Sequence, residues 1–294
     1  MMTPPSIIFI IPYFGRWPFW MPFFIESCRA NASVNWLLIS DCAPLESLPP
    51  NVKQRSMDFS SYCSFVSARL GFEFAPATPY KLCDIKPALG YIHEEDVVGF
   101  DFWAFSDIDV IYGNLREYFT CEKLRRYKLF STHERRISGH LCLLRNEPEL
   151  RALFWKIPNV VERIQDQRHH ALDEGAFTRL FLWRKNFPDF LFRLIGRFNR
   201  WRRVAEFREA FSTPNGRRPW TDGTQHYPEF WFWRGGRLFN SKDGEREFPY
   251  LHFLVWKKAW NAGDSEMSPV QGTALAKRES WCISKDGFSE GAVE

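Results

Sequence analysis

Cysteine pairs, long apolar runs and a dominant charge are all missing from this chain of 294 residues. Its seven cysteines, at 28, 42, 63, 83, 121, 142 and 282, are scattered and odd in number, with no C-x-x-C pair. That excludes a disulfide scaffold and points to a reducing compartment, with the thiols acting as small core hydrophobes. The aliphatic run Ile7 to Ile11 falls far short of the ~20 residues that span a bilayer. The opening Met-Met-Thr-Pro-Pro lacks the basic and apolar regions of a secretory signal. A cytoplasmic protein is therefore expected.

Charge is nearly balanced, with 39 basic and 35 acidic side chains. A nucleic-acid coat would be basic over a wide surface, so no nucleic-acid partner is expected. What positive charge there is forms a patch: residues 192–218 hold eight arginines and two acids. The charged fraction is only 25%, beside 29 Phe, 13 Trp and 9 Tyr, which excludes a disordered chain and allows one large domain or two small ones.

The pattern along the chain is that of an α/β protein. Ser6 to Pro12 and Trp36 to Ser40 are short, almost wholly apolar runs, as in strands buried on both faces of a parallel sheet. A helix is expected between them over 17–30, giving a βαβ opening. Further helices are expected over 60–70, 84–93, 147–165 and 173–183, and the arginine-rich stretch 192–212 also has helical spacing. Strands are expected at 102–106, 140–144, 229–233 and 250–254. From residue 261 onward Gly, Ser and charge suggest a loosely packed tail. The expected layout is one domain over 1–260, with a basic helical insertion at 192–218, and a variable tail over 261–294.

In parallel sheets ligands sit outside the carboxyl ends of the strands. Tyr13, Phe14 and Asp41 follow the first two strands and are placed for a ligand. The strongest chemical signal is Asp107-Ile-Asp109, directly after Phe102-Trp-Ala-Phe-Ser106. Residues i and i+2 of an extended chain point to one side, so both carboxylates can converge on a hard cation, Mn²⁺ or Mg²⁺. That leaves positions on the ion for the phosphate oxygens of a substrate. The competing reading is a pair of turn carboxylates.

With these residues in view, the sequence resembles a known class. Asp84-Ile-Lys-Pro-Ala88 and Phe102 to Asn114, with the opening Ile-Pro-Tyr-Phe-Gly-x-Trp-Pro, resemble the core of the GT-A (Rossmann-like) nucleotide-sugar glycosyltransferases. The nearer likeness is to a bacterial family from polysaccharide gene clusters, and a more distant one is to the glycogenin-like, retaining transferases. The resemblance spans about residues 6 to 258 and implies a mixed, mainly parallel sheet flanked by helices, with a C-terminal helical and aromatic extension. It implies a metal held by Asp107, Asp109 and His252, the last from His252-Phe-Leu-Val-Trp-Lys257. Lys257 or Lys258 would meet the diphosphate, and Asp107 would meet the metal or the ribose. Lys86 would lie near the donor, with Lys81 as the competing choice. Tyr13 and Phe14 would stack on the base, and Asp41 would accept from its ring N–H. Gly139, in Ser138-Gly139-His140, would let the backbone approach the sugar, and His140 would lie beside it. Asp173 and Glu174 would stand at the reacting face, although Asp173 could equally be a helix N-cap.

The activity implied is transfer of a sugar from a nucleotide-sugar donor, a UDP-sugar in the first instance, to a glycan or lipid-linked saccharide in surface polysaccharide synthesis. The aromatic stretch 227–233 offers flat faces to an acceptor. The arginines of 193–208, interleaved with Phe192, Leu194, Ile195, Phe198 and Trp201, fit a helix attracted to an anionic membrane surface. A helix that merely covers the core with arginine stems is the alternative. Two other functions compete: an aspartate-dependent phosphatase, and a non-catalytic carbohydrate-binding protein.

Overall fold

The computed structural model describes residues 3–182, 187–196, 198–214, 219–262 and 269–291. Its strands, in chain order, are β1 (Ile7–Pro12), β2 (Val34–Ser40), β3 (Val52–Ser56), β4 (Phe102–Ser106), β5 (Val110–Tyr112), β6 (Leu129–Ser131) and β7 (Leu141–Arg145). They continue with β8 (Ala205–Phe207), β9 (Phe230–Arg234), β10 (Arg237–Asn240), β11 (Tyr250–His252), β12 (Ser280–Ser284) and β13 (Gly287–Glu290).

The apolar runs of β1, β2 and β4 become neighbouring parallel strands, with Ile7 opposite both Val34 and Phe102. The main sheet has seven strands in the order β3-β2-β1-β4-β7-β6-β8. β7 runs antiparallel to β4 and β6, and β8 lies parallel to β6. The expected mixed, mainly parallel α/β sheet is present. Side chains alternate between its faces: Ile8, Ile10, Trp103 and Phe105 join one buried cluster, and Ile7, Phe9, Phe102 and Ala104 the other. Helices cover both faces, among them α1 (Met21–Arg29) and α2 (Phe59–Leu70). Asp58 caps α2 by accepting from the Ser61 N–H at 2.8 Å.

One feature of this order positions the site. The chain lays down β1, β2 and β3 outward in one direction, then returns to the other side of β1 for β4. The loops leaving β1 and β4 therefore part, and a crevice opens at their carboxyl ends. Those ends are Pro12-Tyr13-Phe14 and Ser106-Asp107.

Several local expectations change. The helix expected over 84–93 is broken into short turns at Lys86–Ala88, where Pro87 removes an N–H donor. The helix expected over 147–165 is interrupted before Val160, where Asn159 adopts φ 53° after Pro158. Among its described residues the basic stretch is helical only at Asp189–Gly196 and in a single 3₁₀ turn at Arg200–Arg203; β8, at Ala205–Phe207, then extends the main sheet. Arg197, Arg217 and Arg218 lie outside the described residues.

Within the segment expected as a loose tail, residues 280–290 form two strands. β12 and β13 complete a four-stranded antiparallel sheet, β10-β9-β12-β13. Trp281 is fully buried there and stacks on Trp233 with centroids 4.7 Å apart. The hairpin turn Gly235-Gly236, with φ 52° and 86°, has the positive angles that match strand twist. The aromatic stretch expected to face an acceptor is therefore mostly core: Trp231 and Trp233 are buried beside Phe23 and Phe248.

Candidate functional site

A cleft of about 550 Å³ lies at the crevice between the ends of β1 and β4. Its walls bring together Tyr13, Phe14, Lys86, Asp107, Asp109, Gly139, His140, Asp173, Glu174, His252 and Lys257, residues spread over most of the sequence. Asp41 is not among them. It is exposed, and it accepts from the Gly15 N–H at 2.8 Å, so its task is to hold the turn after β1. Phe14 is largely core, in contact with Phe59 and Tyr62. Tyr13 stacks on Trp17 at 5.4 Å and donates its hydroxyl hydrogen to Arg16 O at 2.8 Å, so one face of its ring is already covered.

The short ribbon of β5 and β11 assembles the acidic centre. His252 pairs with Val110 in that ribbon, and the residue before Val110 is Asp109. A helix, Leu254–Ala262, starts two residues later and brings Lys257 back over the same carboxylate. Trp20 fastens the loop from beneath by donating its indole N–H to Ile108 O at 2.9 Å.

Asp107, Asp109 and His252 each offer a ligand atom, and the three atoms lie within 4.8 Å of one another. His252 Nδ1 is 3.2 Å from Thr213 Oγ1. Its Nε2 is buried, 3.4 Å from Asp109 Oδ2, and has no hydrogen-bond partner among the described residues. A buried imidazole nitrogen aimed at a carboxylate and otherwise unpartnered is what a metal ligand looks like before it is used. The set of two carboxylates and one imidazole fits a divalent cation.

Two lysines hold the two acids. Lys86 Nζ donates to Asp107 Oδ1 at 2.5 Å and to Gly139 O at 2.8 Å. Burial opposes its charge, but Asp107, Cys83 and Asp173 together outweigh burial and keep it protonated. Lys257 Nζ donates to Asp109 Oδ2 in a short contact. Burial would raise the Asp109 pKa, but His252 and Lys257 together hold it below the usual carboxylate range. Lys81, the competing lysine, is buried for a different purpose. It pairs with Asp84 at 2.8 Å and donates to Arg163 O and Arg168 O. Asp84 in turn accepts from the His170 and Leu172 N–H groups. That buried pair shapes the segment leading into Asp173. The side chain of Lys258 lies outside the described residues.

Asp173 does not cap a helix. It opens a π-helical turn, Asp173–Phe177, two residues after Ala171 at φ 47°. Its Oδ1 accepts from the Glu174 N–H at 2.8 Å. Burial, reinforced by Glu174 and opposed by Lys86, raises its pKa to about 6. Glu174 pairs with Arg136 at 3.2 Å. Gly139 lies against both acids: a Cβ there would stand 2.6 Å from Asp173 Oδ2. Any side chain there would push the two acids aside.

His140 has a supporting place. Its ring stacks on His252 with centroids 4.1 Å apart, and its Nε2 is 2.7 Å from Tyr250 Oη. Burial, then the neighbouring His252, pushes its pKa well down, so it stays neutral. Sequence reasoning missed Trp20, Thr213 and Tyr250, which share no motif with the residues they orient. It also missed Tyr80, exposed at the cleft mouth against His169. No described helix is long and apolar enough to cross a membrane.

Residues 9–277 match the model of a family of unknown function, DUF6625, and the chain belongs to that family. No curated protein matches it. Among solved structures it is similar to the galactosyltransferase LgtC, in complex with donor and acceptor sugar analogues, at 12% identity and TM-score 0.34, over 69% of this chain and 86% of that one. Mouse xyloside xylosyltransferase 1 is similar at 11% identity and TM-score 0.37, over 72% and 87% of the two chains. The glycosyltransferase GlyE of Streptococcus pneumoniae is similar at 12% identity and TM-score 0.34, over 61% of this chain and 44% of that one. At such scores the likeness carries no inference about chemistry.

Proposed function

We propose that this protein is a metal-dependent glycosyltransferase of GT-A type, moving a sugar from a nucleotide-sugar donor, a UDP-sugar in the first instance, to a glycan or lipid-linked saccharide. One observation carries the reading: Asp107, Asp109 and the His252 Nε2, which has no hydrogen-bond partner among the described residues, converge where the sheet's strand order reverses, with a lysine on each acid.

Displacing a diphosphate from an anomeric carbon builds negative charge on the departing oxygen. Asp107, Asp109 and His252 would hold a divalent ion, Mn²⁺ or Mg²⁺, which would supply positive charge there. Lys257, half-buried on the cleft wall, adds a second positive group. Lys86 has no such freedom: it is bound to Asp107 and Gly139 O, and it fixes the acid's rotamer and the strand opposite. Tyr13 offers the open face of its ring to the base. Asp173 and Glu174 stand against Gly139, where the sugar would lie. The proposed stereochemical course is retention, with Asp173 at the reacting face.

The exposed Phe190, Leu194 and Phe198 beside the exposed Arg200, Arg202 and Arg203 support an anionic membrane surface as partner. The enzyme would then work in surface polysaccharide synthesis at the cytoplasmic face of the inner membrane.

The test is a sugar-nucleotide panel with Mn²⁺, reading nucleotide release and donor-induced thermal stabilisation. The parent gives both with at least one donor, and Asp109→Ala abolishes both. Equal activity of variant and parent refutes the site. Hydrolysis of simple phosphate monoesters without a sugar nucleotide would establish a phosphatase instead. Glycan binding with no response to any sugar nucleotide would establish a carbohydrate-binding protein.

A further inference from the structure

The metal trio and its lysines have a charge balance that closes only in certain states. Asp107 faces Lys86 and Asp109 faces Lys257, so each acid already has a counter-charge. Lys86 cannot leave: it is buried and also held by Gly139 O. Lys257 can. It hangs from the first turns of the helix Leu254–Ala262, and among the described residues its hydrogen-bond partner is Asp109 Oδ2. The same oxygen faces His252 Nε2 at 3.4 Å.

We infer that Lys257 is an internal counter-ion that competes with the divalent cation for Asp109, so that cation and nucleotide diphosphate bind cooperatively. The inference rests on the metal-dependent reading above. A cation held by Asp109 and His252 would compete with the ammonium for the Asp109 carboxylate, because two positive charges drawn to one oxygen repel each other. The displaced ammonium would then lie beside the cation in a half-buried cleft without its counter-charge, which disfavours binding of the cation alone. A diphosphate reverses the balance by supplying anionic oxygens to the cation and to the freed Lys257 together. By linkage each ligand then tightens the other by the same factor. Lys257 is a positioning residue here as well as a charge for the leaving group.

The experiment measures Mn²⁺ binding by the fall of the free-ion electron paramagnetic resonance signal, with parent, Lys257→Met and Lys257→Arg. Met keeps most of the apolar stem and removes the charge. Without nucleotide, Lys257→Met should bind Mn²⁺ at least about fivefold more tightly than the parent, the low end of measured site–site couplings. Lys257→Arg should stay near the parent. With saturating Mn²⁺, UDP and GDP binding, read by tryptophan fluorescence, should weaken in Lys257→Met and hold in Lys257→Arg. Equal or weaker Mn²⁺ binding by Lys257→Met, with its thermal unfolding otherwise cooperative, overturns the competition while leaving the metal reading standing. Absence of Mn²⁺ binding by all three proteins, nucleotide present or not, overturns the metal reading and this inference with it.

Discussion

Replacing Asp173 by Asn should make the protein more stable above neutral pH while disabling it. The carboxyl is almost wholly buried, and burial is the main cause of its rise from 3.8 to about 6. The folded state therefore binds this proton more tightly than the unfolded state does. Stability falls as pH rises from the unfolded value through the folded one, because the unfolded chain ionises first. With the two values given, the penalty is ~1 kcal/mol at about pH 4.5 and levels off at ~3 kcal/mol above about pH 7. Asn is isosteric, and its carbonyl oxygen can accept from the Glu174 N–H as the carboxylate does. Asp173→Asn should remove the penalty without removing the contact, gaining ~2 kcal/mol more at pH 8 than at pH 4.5. Urea unfolding of both proteins at the two pH values measures this double difference, in which every other titrating group cancels to first order. Sugar transfer by the variant should be lost. A stability difference that is the same at both pH values, or a parent more stable at both, would show that the carboxyl is not a strained buried acid.

Gly139→Ala should cost about 1–3 kcal/mol by overpacking, since its Cβ would fall 2.6 Å from Asp173 Oδ2 and 3.3 Å from Glu174 Cγ. Displacement of the two acids should lower donor turnover about 10²-fold, and thermal unfolding with nucleotide-release kinetics reads both effects; an unaffected variant would mean the acids have room to spare. For the basic surface, co-sedimentation with liposomes of anionic lipid at low salt should retain the protein, and replacing exposed Phe198 with Ser should reduce retention. Equal partition of the parent onto neutral and anionic vesicles would remove the membrane from the proposal.

Much of the sheet was legible because its central strands carry their own signal. β1, β2 and β4 are buried on both faces, so each reads as a continuous apolar run, and polar residues follow at the carboxyl ends. The strands that escaped notice do not obey that rule. β3, Val-Lys-Gln-Arg-Ser, lies at the sheet edge and is half exposed, and β8 follows three arginines within four residues. β12 and β13 sit among Gly, Ser and charged residues whose composition alone suggests a frayed end. Their place is decided by Trp281, which packs on Trp233 from a segment nearly fifty residues earlier.

The site divides the same way. Asp107 and Asp109 announce themselves by spacing at the end of an apolar strand, because that geometry is local. Asp41 obeyed the same positional rule and nevertheless turned to cap Gly15. Neither the nearness of His252 to Asp109 nor the pairing of Lys257 with it is a local property; both depend on β11 finding β5 across 140 residues of chain. The choice between Lys81 and Lys86 depended on which carboxylate each one met, the buried Asp84 or the half-exposed Asp107. By itself the sequence determined the central buried strands, the acidic pair at the end of one of them and the classes of chemistry open to that pair, since those follow from the chain's own periodicity. Only the tertiary structure decided which distant nitrogen, ammonium and second acidic pair would share the crevice, because burial and charge act through space and not along the backbone.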